Sequence, residues 1–222
     1  MNIRLPDCLA RSDLGQALRY LQIYYGQPYT GAYFDTWASA GSDPERITAD
    51  DLVAVSFLSV VVPPMAAREL LDTRADEFTA LLRSVGPDRD LADQAEPVTE
   101  DQPGSELYRA ILGLYGVGRT IGTKLLARKR PRLFPIYDSV VAKVCGIGNF
   151  HWEPLRQVLR SDGLYERLIE LRGRAGLGRE VSALRVLDVV AWMEGKATGV
   201  RPTSPEELLG ESLTGLRTAD RE

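Results

Sequence analysis

The chain has 222 residues, 44% hydrophobic and 26% charged, and its 27 Lys and Arg against 31 Asp and Glu leave a formal charge of -4. That balance excludes a disordered tail protein and a protein that coats nucleic acid through net charge alone, while the length allows one lobed domain with its own core. Two cysteines and one histidine are too few for a disulfide framework, a four-thiolate zinc site or an iron–sulfur cluster, so neither a metal nor another cofactor is expected.

In chain order, most segments read as helix. Asp13 can cap a stretch through Leu14, Ala17, Leu18, Leu21 and Ile23, whose spacing fits a 3.6 period. Thr48 followed by Asp51 approximates a capping box, and the apolar run behind it, Leu52 to Leu58, predicts a central helix buried on nearly every face. Pro63 and Pro64 end that run and can open the next helix, Met65 to Leu71. The whole stretch from Leu52 to Ala67 is too short and too proline-broken for the ~20 residues of a membrane span. Nothing from Met1 to Asp7 reads as a secretory signal, so the expected setting is cytoplasmic, without membrane contact.

Gly86-Pro87 opens a polar, proline-dotted loop that runs to Pro103-Gly104, after which Ser105 can cap a helix from Glu106 to Leu114. A Gly-Val-Gly turn leads into Thr120 to Lys129, and Asp138 sits where the next helix, Ser139 to Cys145, should begin. Pro154 to Leu159, Leu164 to Leu171 and Glu180 to Met193 complete the inventory, with a tail after Ala197. Alternation of period two is weak throughout, and the fold class expected is all-α.

Charge is unevenly spread. From Glu69 to Glu106 eleven acids face only Arg74, Arg83 and Arg89, an acidic face that could meet a protein partner. From Gly116 to Lys143 the bases Arg119, Lys124, Arg128, Lys129, Arg130, Arg132 and Lys143 face Asp138 alone. Such a run is either a phosphate-facing patch or solvated helix ends favoured by the helix dipole.

The segment Gly116-Val117-Gly118-Arg119-Thr120 carries the sharpest signal. Two glycines spaced by one residue suit a tight corner between helices, where positive φ or close backbone approach is needed, and amides opening the second helix can hold a phosphate. With Lys124-Leu125-Leu126 and the later Pro135-Ile136-Tyr137-Asp138-Ser139-Val140-Val141-Ala142-Lys143-Val144, this string resembles the helix-hairpin-helix DNA glycosylase superfamily, the relatives of endonuclease III and the adenine glycosylases.

The resemblance implies a two-lobed helical fold with a helix-hairpin-helix motif in a single domain, 1–196. One lobe would comprise 1–47 plus 139–196 and the other 48–138, with a tail at 197–222. It implies a DNA-repair hydrolase that binds double-stranded DNA and cleaves the N-glycosidic bond of a damaged or modified base. Asp138 would be the catalytic carboxylate, stabilising the sugar cation and activating water. Gly116, Val117, Gly118, Arg119, Thr120, Lys124, Arg128 and Lys129 would bind DNA. Thr120 stands where lyase-type members carry an imine-forming lysine, which implies a monofunctional enzyme. The alternative is a non-catalytic DNA-binding or protein-interaction relative, with Asp138 only a helix cap.

Tyr24, Tyr25, Tyr29, Tyr33, Phe34 and Trp37 concentrate aromatic surface near the N-terminus, either as core or as the wall of a base pocket. Tyr33 and Trp37, with Tyr137 beside Asp138, are the base-pocket candidates. His151 reads as structural, and neither Ser139 nor Cys145 has a neighbouring base to activate it.

Overall fold

The computed structural model describes residues 3–10, 13–26, 29–39, 41–148 and 152–203, so His151 and the tail from 204 onward lie outside the described residues. Among the described residues the regular structure is entirely helical. The helices are α1 (Asp7–Ala10), α2 (Gly15–Gly26), α3 (Tyr33–Thr36), α4 (Ala49–Ser56), α5 (Pro64–Arg68), α6 (Ala75–Val85), α7 (Pro103–Leu112), α8 (Arg119–Lys129), α9 (Ser139–Cys145), α10 (Trp152–Leu159), α11 (Leu164–Arg174) and α12 (Ala183–Ala197). No described helix is long and apolar enough to cross a membrane.

Local chemistry sets the helix starts. Asp13 accepts the Gly15 amide at 2.9 Å ahead of α2. At α4 the capping box forms, with the Thr48 amide (2.9 Å) and hydroxyl (3.1 Å) both donating to Asp51 Oδ2, so the shorter acid does the work usually given to Glu or Gln. Pro64 occupies the first position of α5, where a missing N–H is harmless.

Two sequence expectations need correction. The helix after Gln102 begins at Pro103 rather than behind Ser105, again because proline suits a first turn. Ser105 is buried inside that turn and its hydroxyl donates to the Thr99 carbonyl. The run from Leu52 to Leu58 is not buried all round either. Helix α4 stops at Ser56, only one stripe (Asp51, Ala54, Val55) faces the core, and Val53 is exposed.

Helix α12 is the longest and packs against α9, α2 and α11, while α4, α6 and α7 gather around α8 and one another, and α3 rests on α4. One continuous apolar core runs through both groups, and its burial supplies the main favourable term. The α9–α12 crossing is close because of Gly195. A Cβ there would lie 2.4 Å from Val140 Cγ1 and 2.9 Å from Val144 Cγ2.

Candidate functional site

The connection 113–118 turns the chain from α7 into α8. Gly116 adopts φ +73°, a left-handed conformation that side chains resist, and a Cβ on it would approach Pro63 Cγ to 2.9 Å. Gly118 differs from expectation. It caps α8 in an extended conformation (φ -92°) with open space around its Cα, so neither positive φ nor crowding requires glycine there. Val117 is buried, and the Arg119 guanidinium stacks 3.4 Å over the Tyr137 ring.

The basic run behaves unlike a phosphate-facing patch. Lys124, Arg128 and Lys129, read from the sequence as DNA contacts, turn inward. Arg128 Nε reaches Asp51 Oδ1 at 3.1 Å, and its other nitrogens donate to the Phe34 and Trp37 carbonyls. Lys129 Nζ bridges Asp51 Oδ2 (2.8 Å) and the Asp43 carbonyl (2.6 Å). Arg130 is fully buried and donates to carbonyls of Gly86, Pro44 and Leu82. The pattern is shared: long cationic side chains reach back to backbone carbonyls of Phe34, Trp37, Asp43, Pro44, Leu82 and Gly86 and satisfy them. Farther along the run, the half-exposed Arg132 pairs with Asp88 and Asp90. The acidic face is likewise partly neutralised within the chain, through Arg74 with Glu69 and Glu77 and Arg46 with Asp76.

Lys124 leads to a cavity. The side chain is buried and Nζ donates to the Leu58 carbonyl at 2.8 Å. It borders a cavity of about 290 Å³ together with Asp138, Asp188, Arg185, Tyr24, Tyr29 and Trp192, closed on its apolar side by Phe57, Leu58 and Ile136. Asp138 is held at the cavity by two sets of bonds. Its Oδ1 accepts the Val140 amide at 2.9 Å and the Val141 amide at 3.4 Å, making it the cap of α9. One residue earlier, the Tyr137 amide donates to Thr123 Oγ1 at 2.9 Å, and Thr123 itself donates to Arg119 O. Neighbouring residues of α8 thus fix both the approach to Asp138 and the position of Lys124.

The aromatic wall is ordered. Tyr24 and Tyr29 stack with centroids 5.4 Å apart and planes 7° off parallel, and the Trp192 ring stands edge-on to both. The base-pocket candidates fare differently. Tyr33 and Trp37 pack on Phe57 with exposed faces and do not border the cavity, which is bounded instead by Tyr24 and Tyr29. Tyr137 is buried under Arg119.

Behind the wall lies an ionic cluster. Arg185 is buried and donates to Asp35, Asp188, the Tyr24 hydroxyl (2.8 Å) and the Gly31 carbonyl (2.9 Å), while Tyr25 donates to Asp35 at 2.9 Å. Burial works against the Arg185 charge, but Asp35, the two tyrosines and Asp188 overcome it and hold the guanidinium well above its ordinary value. Burial pushes the Asp188 carboxyl up from 3.8 to about 6, against the pull of Arg185 and helped by the nearby Asp138 charge. Burial pushes the Lys124 ammonium down, and the carboxylates of Asp138 and Asp188 pull the other way. The Cys145 thiol is pushed to about 12 by burial, which leaves it inert as a nucleophile. Among the described residues no group of three His, Cys, Asp or Glu is arranged to hold a metal ion.

Residues 17–195 match a family of unknown function, DUF6308. The chain belongs to that family. The match runs from within α2 to the last turns of α12, and so takes in Tyr24, Lys124, Asp138, Asp188 and Trp192. No curated protein and no solved structure matches the chain.

Sequence reasoning missed Asp188 and Arg185. The signal was present: both stand in Arg185-Val186-Leu187-Asp188-Val189-Val190, where charged residues interrupt an otherwise apolar helix. Charged residues are almost never buried without a partner or a task.

Proposed function

We propose that this chain is a monofunctional N-glycosidic hydrolase acting on a damaged or modified base in DNA. The observation that carries the reading is the company Asp138 keeps. The carboxylate that the glycosylase resemblance singles out borders a cavity walled by stacked aromatic rings and shares it with a buried lysine and a second acid. In this reading an extruded base enters the cavity and lies against its aromatic wall, because ring surfaces accept any heterocycle. Asp138 lies beside the sugar, where its charge stabilises the cation that develops as the glycosidic bond breaks and its free oxygen accepts a proton from the attacking water. Lys124 keeps the Phe57–Ser59 edge of the cavity in place through its bond to Leu58. Thr120 offers no amine for an imine, in keeping with hydrolysis rather than strand cleavage.

With Lys124, Arg128 and Lys129 turned inward, phosphate contact in this reading falls to the Gly116–Thr120 turn and the amides that open α8. DNA affinity would then rest on few contacts and show a shallow salt dependence. The same inward turn favours a second reading, in which the cavity takes a free nucleoside and no duplex is needed. The deciding experiment incubates the protein with duplexes bearing single lesions and, separately, with free nucleosides. Alkali-induced cleavage reports abasic sites and chromatography reports released base. Release from duplex supports the first reading, release from nucleosides alone the second, and release from neither sinks both.

A further inference from the structure

We propose that a second cavity, distinct from the one that Asp138 borders, binds a small monocarboxylic acid with a flat apolar body, held at its carboxylate by Arg89. The cavity has a volume of about 210 Å³ and lies between the end of α6, the loop 86–102 and the starts of α7 and α10. None of its lining residues borders the Asp138 cavity, so the inference is independent of the glycosidic reading. Its floor is apolar, formed by the buried Val85, Leu91 and Leu133 with the rings of Phe134 and Trp152, whose centroids lie 5.0 Å apart. Gly104 leaves room for that floor, since a Cβ there would come within 3.0 Å of the Phe134 ring. Such rings favour a flat apolar partner.

Arg89 supplies the charge. Its Nε donates to Gln94 Oε1 at 3.0 Å, and its Nη1 donates to the Val85 and Pro87 carbonyls at 3.0 and 3.2 Å. Neutral acceptors thus fix the guanidinium, while Nη2 makes no hydrogen bond among the described residues and keeps accessible surface. The surrounding loop is rich in acids, yet they go elsewhere. Arg132 takes Asp88 and Asp90, Arg156 takes Glu153, and Arg89 forms no ion pair among the described residues. Burial pulls the Arg130 guanidinium down against Asp88 and Glu45, and the Arg89 charge adds to the pull. An anion seated at Arg89 therefore also relieves repulsion between two cations. A fixed cation with one open nitrogen, beside an apolar floor, is complementary to a carboxylate that carries an apolar body. A single aromatic ring with its carboxylate fits the volume.

The test follows side-chain methyl signals by NMR as sodium benzoate is added to the full chain, with benzamide and acetate as controls. Benzoate should shift the methyls of Val85, Leu91 and Leu133 with a dissociation constant of about 1 mM, ordinary for so small a ligand. The methyls of Leu58, Val140 and Val189, at the Asp138 cavity, should stay in place. Benzamide has the shape without the charge and acetate the charge without the ring, so each should bind at least about tenfold more weakly. Arg89→Met should remove the preference for benzoate over benzamide. Shifts that miss the Val85, Leu91 and Leu133 methyls, equal affinity for benzoate and either control, or a preference that survives Arg89→Met overturns the inference. So does the absence of any shift up to about 10 mM benzoate. Because Arg89 also satisfies two carbonyls, a variant at the exposed rim decides the case if Arg89→Met does not fold. Ser84→Trp should block the cavity and weaken benzoate binding at least about tenfold, and undiminished binding there overturns the assignment.

Discussion

Replacing Asp51 by Asn tests the reassignment of the basic run. Asp51 is buried, its side chain 1% exposed, and its two oxygens receive Arg128 Nε, Lys129 Nζ and both donors of Thr48. The Arg128 and Lys129 side chains are 7% and 3% exposed. Removing the charge strands two cations in the interior, and breaking a buried pair this way typically costs about 3–5 kcal/mol. The remaining carbonyl bonds from Phe34 and Asp43 soften the loss, while an Asn N–H directed at the Lys129 ammonium sharpens it. Against a total stability of about 5–15 kcal/mol for a domain, a loss near 3 kcal/mol is readily measured by urea denaturation followed by circular dichroism. The double variant Asp51→Asn/Lys129→Met should recover part of the loss, because one stranded cation goes with its partner. A stability change under about 1 kcal/mol for Asp51→Asn, the range of exposed pairs, would mean that Arg128 and Lys129 spend their time in solvent and would return them to the phosphate-facing role.

Three further outcomes are expected. Gly31→Ala would bring a Cβ within 1.9 Å of Tyr24 Oη, displacing that ring from Arg185 and from the cavity wall, at about 1–3 kcal/mol by thermal denaturation; a neutral result would refute the close contact. Gly195→Ala should cost a similar ~1–3 kcal/mol by forcing α9 away from α12, and an unchanged melting temperature would refute the tight crossing. For Asp188, a folded-state value of about 6 against 3.8 means that the fold holds the extra proton between those values, so this residue's contribution falls as pH rises through that window. The stability of Asp188→Asn relative to wild type should therefore climb by up to about 3 kcal/mol from about pH 3 to about pH 8, and a constant difference would contradict the burial argument.

What the sequence made legible were features encoded locally. The Thr48–Asp51 box, the Asp138 cap and proline at the start of α5 are contacts within three residues, and each stands where the pattern put it. The all-helical class followed from periodicity in the same way. Ser105 shows the limit of that approach, since two good start signals lay side by side and Pro103 took the role. The direction of the long cations was not legible. Lys129 meets Asp43 and Asp51, and Arg130 meets Leu82, Gly86 and Pro44, partners far along the chain that no local pattern encodes. The aromatic wall was half legible. The N-terminal cluster supplied it, but Tyr24 and Tyr29 border the cavity rather than Tyr33 and Trp37, a choice settled when α2 packs against α12.

The central claim is that Asp138 works on a bound base and does more than cap α9. The measurement that tests it most directly is base release by Asp138→Asn beside wild type on any substrate that the wild type processes, with binding of the same substrate measured in parallel. Asn caps helices as well as Asp does, so the fold should survive, and Asp138→Ala, which removes the cap, should lose about 1 kcal/mol of stability. The expected result is that Asp138→Asn releases no base while it binds the substrate as tightly as wild type or more so. Wild-type base release by Asp138→Asn would contradict the account at its central residue and leave Asp138 as the cap of a helix.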